Sequence, residues 1–366
     1  MSVHTAIISG SRVYPVKVSC APGPLTPLWI KGGHLKEAEV RELCLRVQMA
    51  MGLSEALPLE VVIDAPKIQD TIAAYDFPVA LAMMIALEKV PLPTDRLFAM
   101  GELSFVGEVR SFRGAFPVAR AIASGNLGDF DQVLFPRMDG CDAEALAGGV
   151  SLDRLVLPCT LDEVADYLRG RNRMTVAAGS PVQLSSLSER TETQVRESKA
   201  FASNGSLGCT PGCGRILLIG PPGSGTIARQ VGSLLPKMTR VESEEITATC
   251  SIAGFSPGGL IHHRLFRAPH HSITAERMFG SKTWPGEVSL AHNGVLFLDE
   301  LTEFEPSVAQ RVLRTKPHKL PWLSRPALIV AAVQGSGSQV AGARLSKLRP
   351  LFDTVFRVRG TELCDD

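Results

Sequence analysis

One stretch limits the fold of this chain more than any other. Arg215-Ile-Leu-Leu-Ile219 runs into Gly220-Pro-Pro-Gly-Ser-Gly225 and continues as Thr226-Ile-Ala-Arg-Gln230. A short apolar run bounded by turn residues reads as a buried strand. Glycine and proline then force a tight turn, and the breaker-free residues beyond it read as a helix. A strand, a glycine turn and a helix in that order predict a parallel sheet, because parallel neighbours need a crossover long enough to hold a helix. The second half of the chain is therefore expected to be α/β. At 366 residues the chain has room for a second domain beside it.

The chemistry of such a turn follows from its backbone. Successive N–H groups over Gly220–Gly225, with the N-terminus of the following helix, form a nest for a phosphate, as in P-loop proteins. The candidate nucleotide-binding residues are Gly220, Pro221, Pro222, Gly223, Ser224, Gly225, Thr226 and Ile227. A working P-loop continues with a lysine that reaches the β- and γ-phosphates and a hydroxyl that ligates magnesium. Here either Thr226 and Ile227 replace that pair, or the lysine is deleted and Thr226 takes the hydroxyl position. Both alignments lose the ammonium. Arg229 lies one helical turn further on, where a guanidinium is expected to sit too deep to replace it.

Downstream, Asn293-Gly-Val-Leu-Phe-Leu-Asp-Glu300 is a short apolar strand ending in two carboxylates. In an ATPase, Asp299 would hold magnesium through water and Glu300 would polarise the attacking water. Thr226 and Asp299 are thus the candidate magnesium residues, and Glu300 the vestigial catalytic position.

The first part of the chain alternates strand and helix signals. Strands are expected in His4–Gly10, Tyr14–Ala21, Leu57–Pro66 and Gln132–Pro136, and a hairpin across Arg96–Ser111 with Gly107 at its turn. Helices are expected in Leu35–Met51, in Phe77–Val90 with Asp76 as its cap, in Ala115–Gly125, and in Thr160–Gly170 capped by Thr160. Residues 173–206 are polar, lack an apolar period and read as a linker, with one short helix around Glu189–Phe201. The expected domains are 1–172 and 207–366.

Between the two nucleotide motifs stand Phe266-Arg-Ala-Pro-His-His-Ser272 and Pro285-Gly-Glu-Val-Ser-Leu-Ala-His-Asn-Gly294. Together with Val295–Phe304 they resemble the AAA+ domain of the magnesium-chelatase-like ATPases of the ComM/YifB type. That resemblance covers nearly the whole chain. It implies an α/β fold, with an α+β Lon-peptidase-like (S5-like) N-terminal domain before a truncated P-loop AAA+ domain. It also implies ATP or ADP with magnesium as ligand, and a ring of family members.

Set beside the family, this chain departs at several points. The insert after Glu303 is shorter, and Ala331-Ala-Val-Gln-Gly-Ser-Gly-Ser338 puts Gln334 where the sensor asparagine belongs. The cysteines that look like metal ligands in the family are missing from that stretch, so no zinc is expected. Thr354 stands in place of an arginine, and the chain reaches Asp366 before a helical lid. Lysine, asparagine, arginine and lid missing together point to lost hydrolysis, with weak nucleotide binding retained.

The Lon-like resemblance places Val79 at the nucleophile position and Phe116 at the lysine base. Valine cannot attack a carbonyl and phenylalanine cannot take a proton, so no peptidase activity is expected.

Partners remain a matter of local charge, since the net charge is +1. Between Pro306 and Phe352 there is no acidic residue, and Arg311, Arg314, Lys316, Lys319, Arg325, Arg344, Lys347 and Arg349 form a basic stretch over 311–349. It is a candidate DNA contact, weighed against a merely solvated face. His262-His263 and His270-His271 are adjacent pairs whose rings diverge in an extended segment, which disfavours a shared metal. Eight scattered cysteines without a CxxC pair, no signal sequence and no apolar run of membrane-spanning length point to the cytoplasm.

The leading expectation is a pseudo-ATPase acting as a binding or assembly module, on DNA or on a homologue's ring. The alternatives are an active DNA-dependent ATPase of the branch-migration or competence type using a substitute cation, a scaffold without nucleotide, and a chain whose second half does not fold stably.

Overall fold

The computed structural model describes residues 2–23, 29–32, 35–53, 58–68, 72–93, 96–137, 141–171, 214–220, 227–229, 235–255, 258–281, 283–314, 326–334, 339–359 and 362–365. The expected linker and its short helix lie outside the described residues. The chain forms two compact units, Met1–Ser185 with Cys250–Leu260, and Ser186–Thr249 with Ile261–Asp366.

The first unit opens on β1 (Ser2–Ser9) and β2 (Arg12–Pro22), an antiparallel pair turned at Gly10, whose φ is 58°. There follow β3 (Trp29–Lys31), α1 (Glu37–Ala50), β4 (Leu59–Asp64), β5 (Ile72–Ala73) and α2 (Asp76–Ala86). Next come β6 (Leu97–Ala99), β7 (Glu102–Leu103), β8 (Val109–Arg110), α3 (Ala115–Ala123), β9 (Gln132–Leu134), α4 (Cys141–Ala147), β10 (Leu155–Val156) and α5 (Leu161–Leu168). The main sheet runs β10-β9-β6-β1-β2-β4-β3, with β5 beside β1. On β2, Val16, Val18 and Cys20 alternate inward, as a sheet covered on one face requires. Every residue of α2 from Asp76 to Ile85 is buried, so this helix is a core element on all sides.

Two expectations change here. The hairpin is shorter: Leu97–Ala99 joins the main sheet, and only β7 and β8 pair around Gly107. Gly107 has φ 81°, and a Cβ there would lie 2.9 Å from the Ala50 carbonyl oxygen, so glycine is required on both counts. Asp76 is also not the cap of α2, because the helix already begins at Asp76 and Tyr75 precedes it as the capping residue. Thr160 does cap α5, its hydroxyl accepting the Glu163 N–H at 3.2 Å.

The second unit is a sheet in the order β12-β13-β14-β11-β15-β16, built from β11 (Gly214–Gly220), β12 (Phe266–Arg267), β13 (Val295–Leu298), β14 (Leu328–Gln334), β15 (Thr354–Arg359) and β16 (Glu362–Asp365). The first five are parallel and β16 is antiparallel at the edge. Strands buried on both faces read as continuous apolar runs, and Val295–Leu298 is buried at all four positions. Alternate residues feed two layers. Leu217, Leu296, Leu298, Ile329 and Ala331 pack with Val308, Val312 and Leu313 of the amphipathic helix Pro306–Arg314. Ile216, Leu218, Val295, Phe297, Val330 and Phe356 pack on the other face with Ile227 and Ala228. Among the described residues, no helix is long and apolar enough to cross a membrane.

Candidate functional site

The carboxyl ends of the parallel strands gather the residues that the sequence singles out. Gly220 ends β11 and pairs with Gln334, which ends β14. On the far side of β14, Leu298 pairs with Ala331, so Asp299 and Glu300 emerge at the same edge. In open α/β sheets this edge is where ligands bind, because helix N-termini and loops converge there. Pro221, Pro222, Gly223, Ser224, Gly225 and Thr226 lie outside the described residues. Ile227 opens the next described segment with its side chain buried in the core. That side chain serves packing, so Ile227 has only its backbone to give a ligand. Gly220 is held tightly from beside: a Cβ there would come within 2.5 Å of the Val358 Cβ on β15.

A cavity of about 370 Å³ opens at this edge, lined by Arg229, Phe266, Pro269, His270, His271, Phe297, Asp299 and Glu300. Asp299 and Glu300 are both exposed. Asp299 Oδ1 accepts the Glu300 N–H at 3.1 Å. Glu300 adopts φ 52° and ψ 51°, a left-handed conformation that costs a non-glycine residue about 1–2 kcal/mol. His271 Nε2 stands 3.9 Å from Glu300 Oε2, and the two histidine rings lie side by side with centroids 4.0 Å apart. His270 Nδ1 is bonded to the Ser272 hydroxyl at 2.8 Å. The rings do not diverge as expected, because the chain turns here instead of running extended.

Arg229 is exposed. Its guanidinium carbon sits 4.4 Å from the centroid of Phe266, inside the cavity that holds the two carboxylates. The sequence does not signal this contact, which joins residues on different elements. The loops around the site are braced by ion pairs equally invisible in sequence. Arg267 meets Glu287 through two bonds of 2.7 Å, and Arg264 reaches Glu242 at 3.2 Å and the Pro236 carbonyl at 2.7 Å. Arg215 clasps Asp353 at 2.8 and 3.2 Å, which holds its carboxyl below the usual range and ties β11 to the start of β15.

The basic stretch is partly spent on the fold. Arg311 lies 3.9 Å over the Phe279 ring, and Arg344 donates to the Thr302 carbonyl at 2.9 Å. Lys316, Lys319 and Arg325 are outside the described residues.

In the first unit, the positions that the Lon resemblance assigns to nucleophile and base are filled by core: Val79 and Phe116 are both fully buried. Asp76, three residues before Val79, is buried as well. Its carboxylate accepts the Leu103 N–H at 3.3 Å and lies 3.1 Å from Arg46 Nε, an ion pair without hydrogen-bond alignment. Burial pushes this carboxyl up to about 6, against the pull of Arg46 and of the Leu103 N–H.

The strand order and the carboxylate-bearing edge define an α/β protein of AAA+-like architecture. Comparison with known proteins makes this specific. Residues 206–318 match the family model for magnesium chelatase, subunit ChlI, and residues 32–138 match a second model, for the ChlI subunit of Mg-chelatase. An uncharacterized protein of Mycobacterium bovis is 33% identical over 256 residues, 66% of this chain and 48% of that protein. YifB of Escherichia coli is 32% identical over 240 residues, 63% of this chain and 45% of its own length. Competence protein ComM of Haemophilus influenzae is 30% identical over 247 residues, 64% and 46% respectively. The chain belongs to the magnesium-chelatase-like family of ComM and YifB. It spans about half the length of the curated relatives it matches.

Proposed function

We propose that this chain is a nucleotide-binding module of the family that holds ATP or ADP with magnesium weakly, without efficient hydrolysis, and serves as a binding or assembly element. The observation that carries this reading is the make-up of one edge. Gly220 and Gln334 end paired strands, and Asp299 and Glu300 directly follow the end of the next one. Carboxylate oxygens are the hard groups that magnesium favours, so Asp299 fits the metal, with Thr226 as a further ligand. When bound, the metal would neutralise phosphate charge. The chain's own part would be to position it through Asp299 and, at Glu300, to hold a water.

What the chain does not supply at these positions is the family's lysine and arginine cations and its sensor amide. Where the family resemblance expects lysine, asparagine and arginine, it has Thr226, Gln334 and Thr354. Phosphoryl transfer spreads charge over oxygens that preplaced cations must stabilise, and losing one such contact costs about 10²–10³ in rate. Several losses leave binding possible and turnover near background. DNA is the weaker part of the proposal, because Arg311 and Arg344 already have partners within the fold. Assembly with intact family members remains the partner reading that the family supports. Calorimetry with magnesium and a non-hydrolysable ATP analogue tests the binding half. Measurable heat at millimolar ligand is expected, and none would leave a scaffold without nucleotide.

A further inference from the structure

The edge that lacks its lysine has a cation of another kind. Ile227 and Ala228 are locked into the core beneath the sheet, which fixes the backbone from which Arg229 projects. Its guanidinium carbon then lies over the Phe266 ring, 4.4 Å from the centroid, and Phe266 is itself set against Phe297 at 5.8 Å. A guanidinium held over an aromatic ring does not spend its N–H groups on that contact, and these can grip phosphate oxygens in pairs. A side chain already held in place loses less freedom on binding than a loose one. Among the described residues Arg229 makes no ion pair, although Asp299 and Glu300 line the same cavity.

We propose that Arg229, presented by Phe266, is the phosphate-binding cation of this site. It would take the terminal phosphates of a nucleoside di- or triphosphate in place of the absent lysine, and so make the site selective for polyphosphate over monophosphate. This rests on the nucleotide-binding reading above. It concerns binding, and assigns Arg229 no catalytic step.

The test is a calorimetric series on the full chain with AMP, ADP and ATPγS, each with magnesium. In the wild type, affinity rises from AMP to ATPγS. Arg229→Met should lose about 10–100-fold for ATPγS, the loss expected when a hydrogen-bonded charge is removed, while AMP binding stays unchanged. Retained AMP binding also shows that the variant is folded. Arg229→Lys should recover part of the loss. Phe266→Leu should weaken ATPγS less than Arg229→Met does, because the cation remains but is no longer held. Unaltered ATPγS affinity in Arg229→Met would overturn the assignment and leave the nucleotide reading standing. Absence of binding by the wild type to any of the three would overturn both.

Discussion

The two units treat their inherited sites in opposite ways. In the first, the positions that the Lon resemblance assigns to nucleophile and base are Val79 and Phe116, both fully enclosed by the core. In the second, Asp299 and Glu300 remain exposed on a cavity, and Glu300 keeps a left-handed backbone that its side chain does not favour. A site filled with apolar side chains has become part of what stabilises the fold. On the proposed reading, the open and strained edge keeps its carboxylates and lacks part of the charge an ATPase needs. The first kind of loss cannot be reversed by restoring catalytic residues, whereas the second leaves a place for a ligand.

The largest expected effect probes the first half of that contrast. Phe116→Lys would put an isolated charge and lost packing into a closed core, at a cost above about 4 kcal/mol. Urea unfolding of the full chain should show the first unit lost, while Asp299→Asn on the open edge should change stability by no more than about 0.5 kcal/mol. Equal effects from the two would erase the contrast.

A pH effect comes next, and belongs to Asp76. Its folded-state pKa of about 6 lies above the 3.8 of an unfolded carboxyl. The folded state therefore binds more protons between these values. The stabilisation is complete below about pH 4 and is lost as pH rises through 6, by about 3 kcal/mol in all. Thermal unfolding of Asp76→Asn measured across pH 4–7 should lack this component relative to wild type. Parallel pH profiles would show that Asp76 titrates normally.

The smallest effect concerns the strained carboxylate. Glu300→Gly should relieve the left-handed backbone and gain a few tenths to about 1 kcal/mol, since the entropy of the unfolded glycine offsets part of the relief. A thermal midpoint that falls instead would mean that the Glu300 side chain contributes structural contacts outweighing the strain.

Much of the second unit was legible because its signals are local. Arg215–Ile219 is read as a strand from its apolar run, and Asn293–Glu300 as another from its four apolar residues and terminal carboxylates; both are observed, as β11 and β13. Thr160 was readable as a cap because capping depends on a residue three positions away. Asp76 was not, because its partners Arg46 and Leu103 are distant in sequence, and burial among them outweighs the local preference for a cap. Short strands such as Trp29–Lys31 and Ile72–Ala73 carry too few residues to show a period. Strand order is likewise silent in the sequence, so the edge shared by Gly220, Gln334 and Asp299 emerges only on folding. The contact of Arg229 with Phe266 depends on that order, so the helical position of Arg229 alone does not reveal it.

The central claim, a pocket that keeps its carboxylates and has lost the charge for cleavage, is tested most directly by phosphate release from magnesium-ATP by the purified chain, compared with its Glu300→Gln variant. The account predicts rates that are near background and equal in the two proteins, alongside measurable binding of the nucleotide. Sustained release by the wild type, abolished in Glu300→Gln, would contradict it.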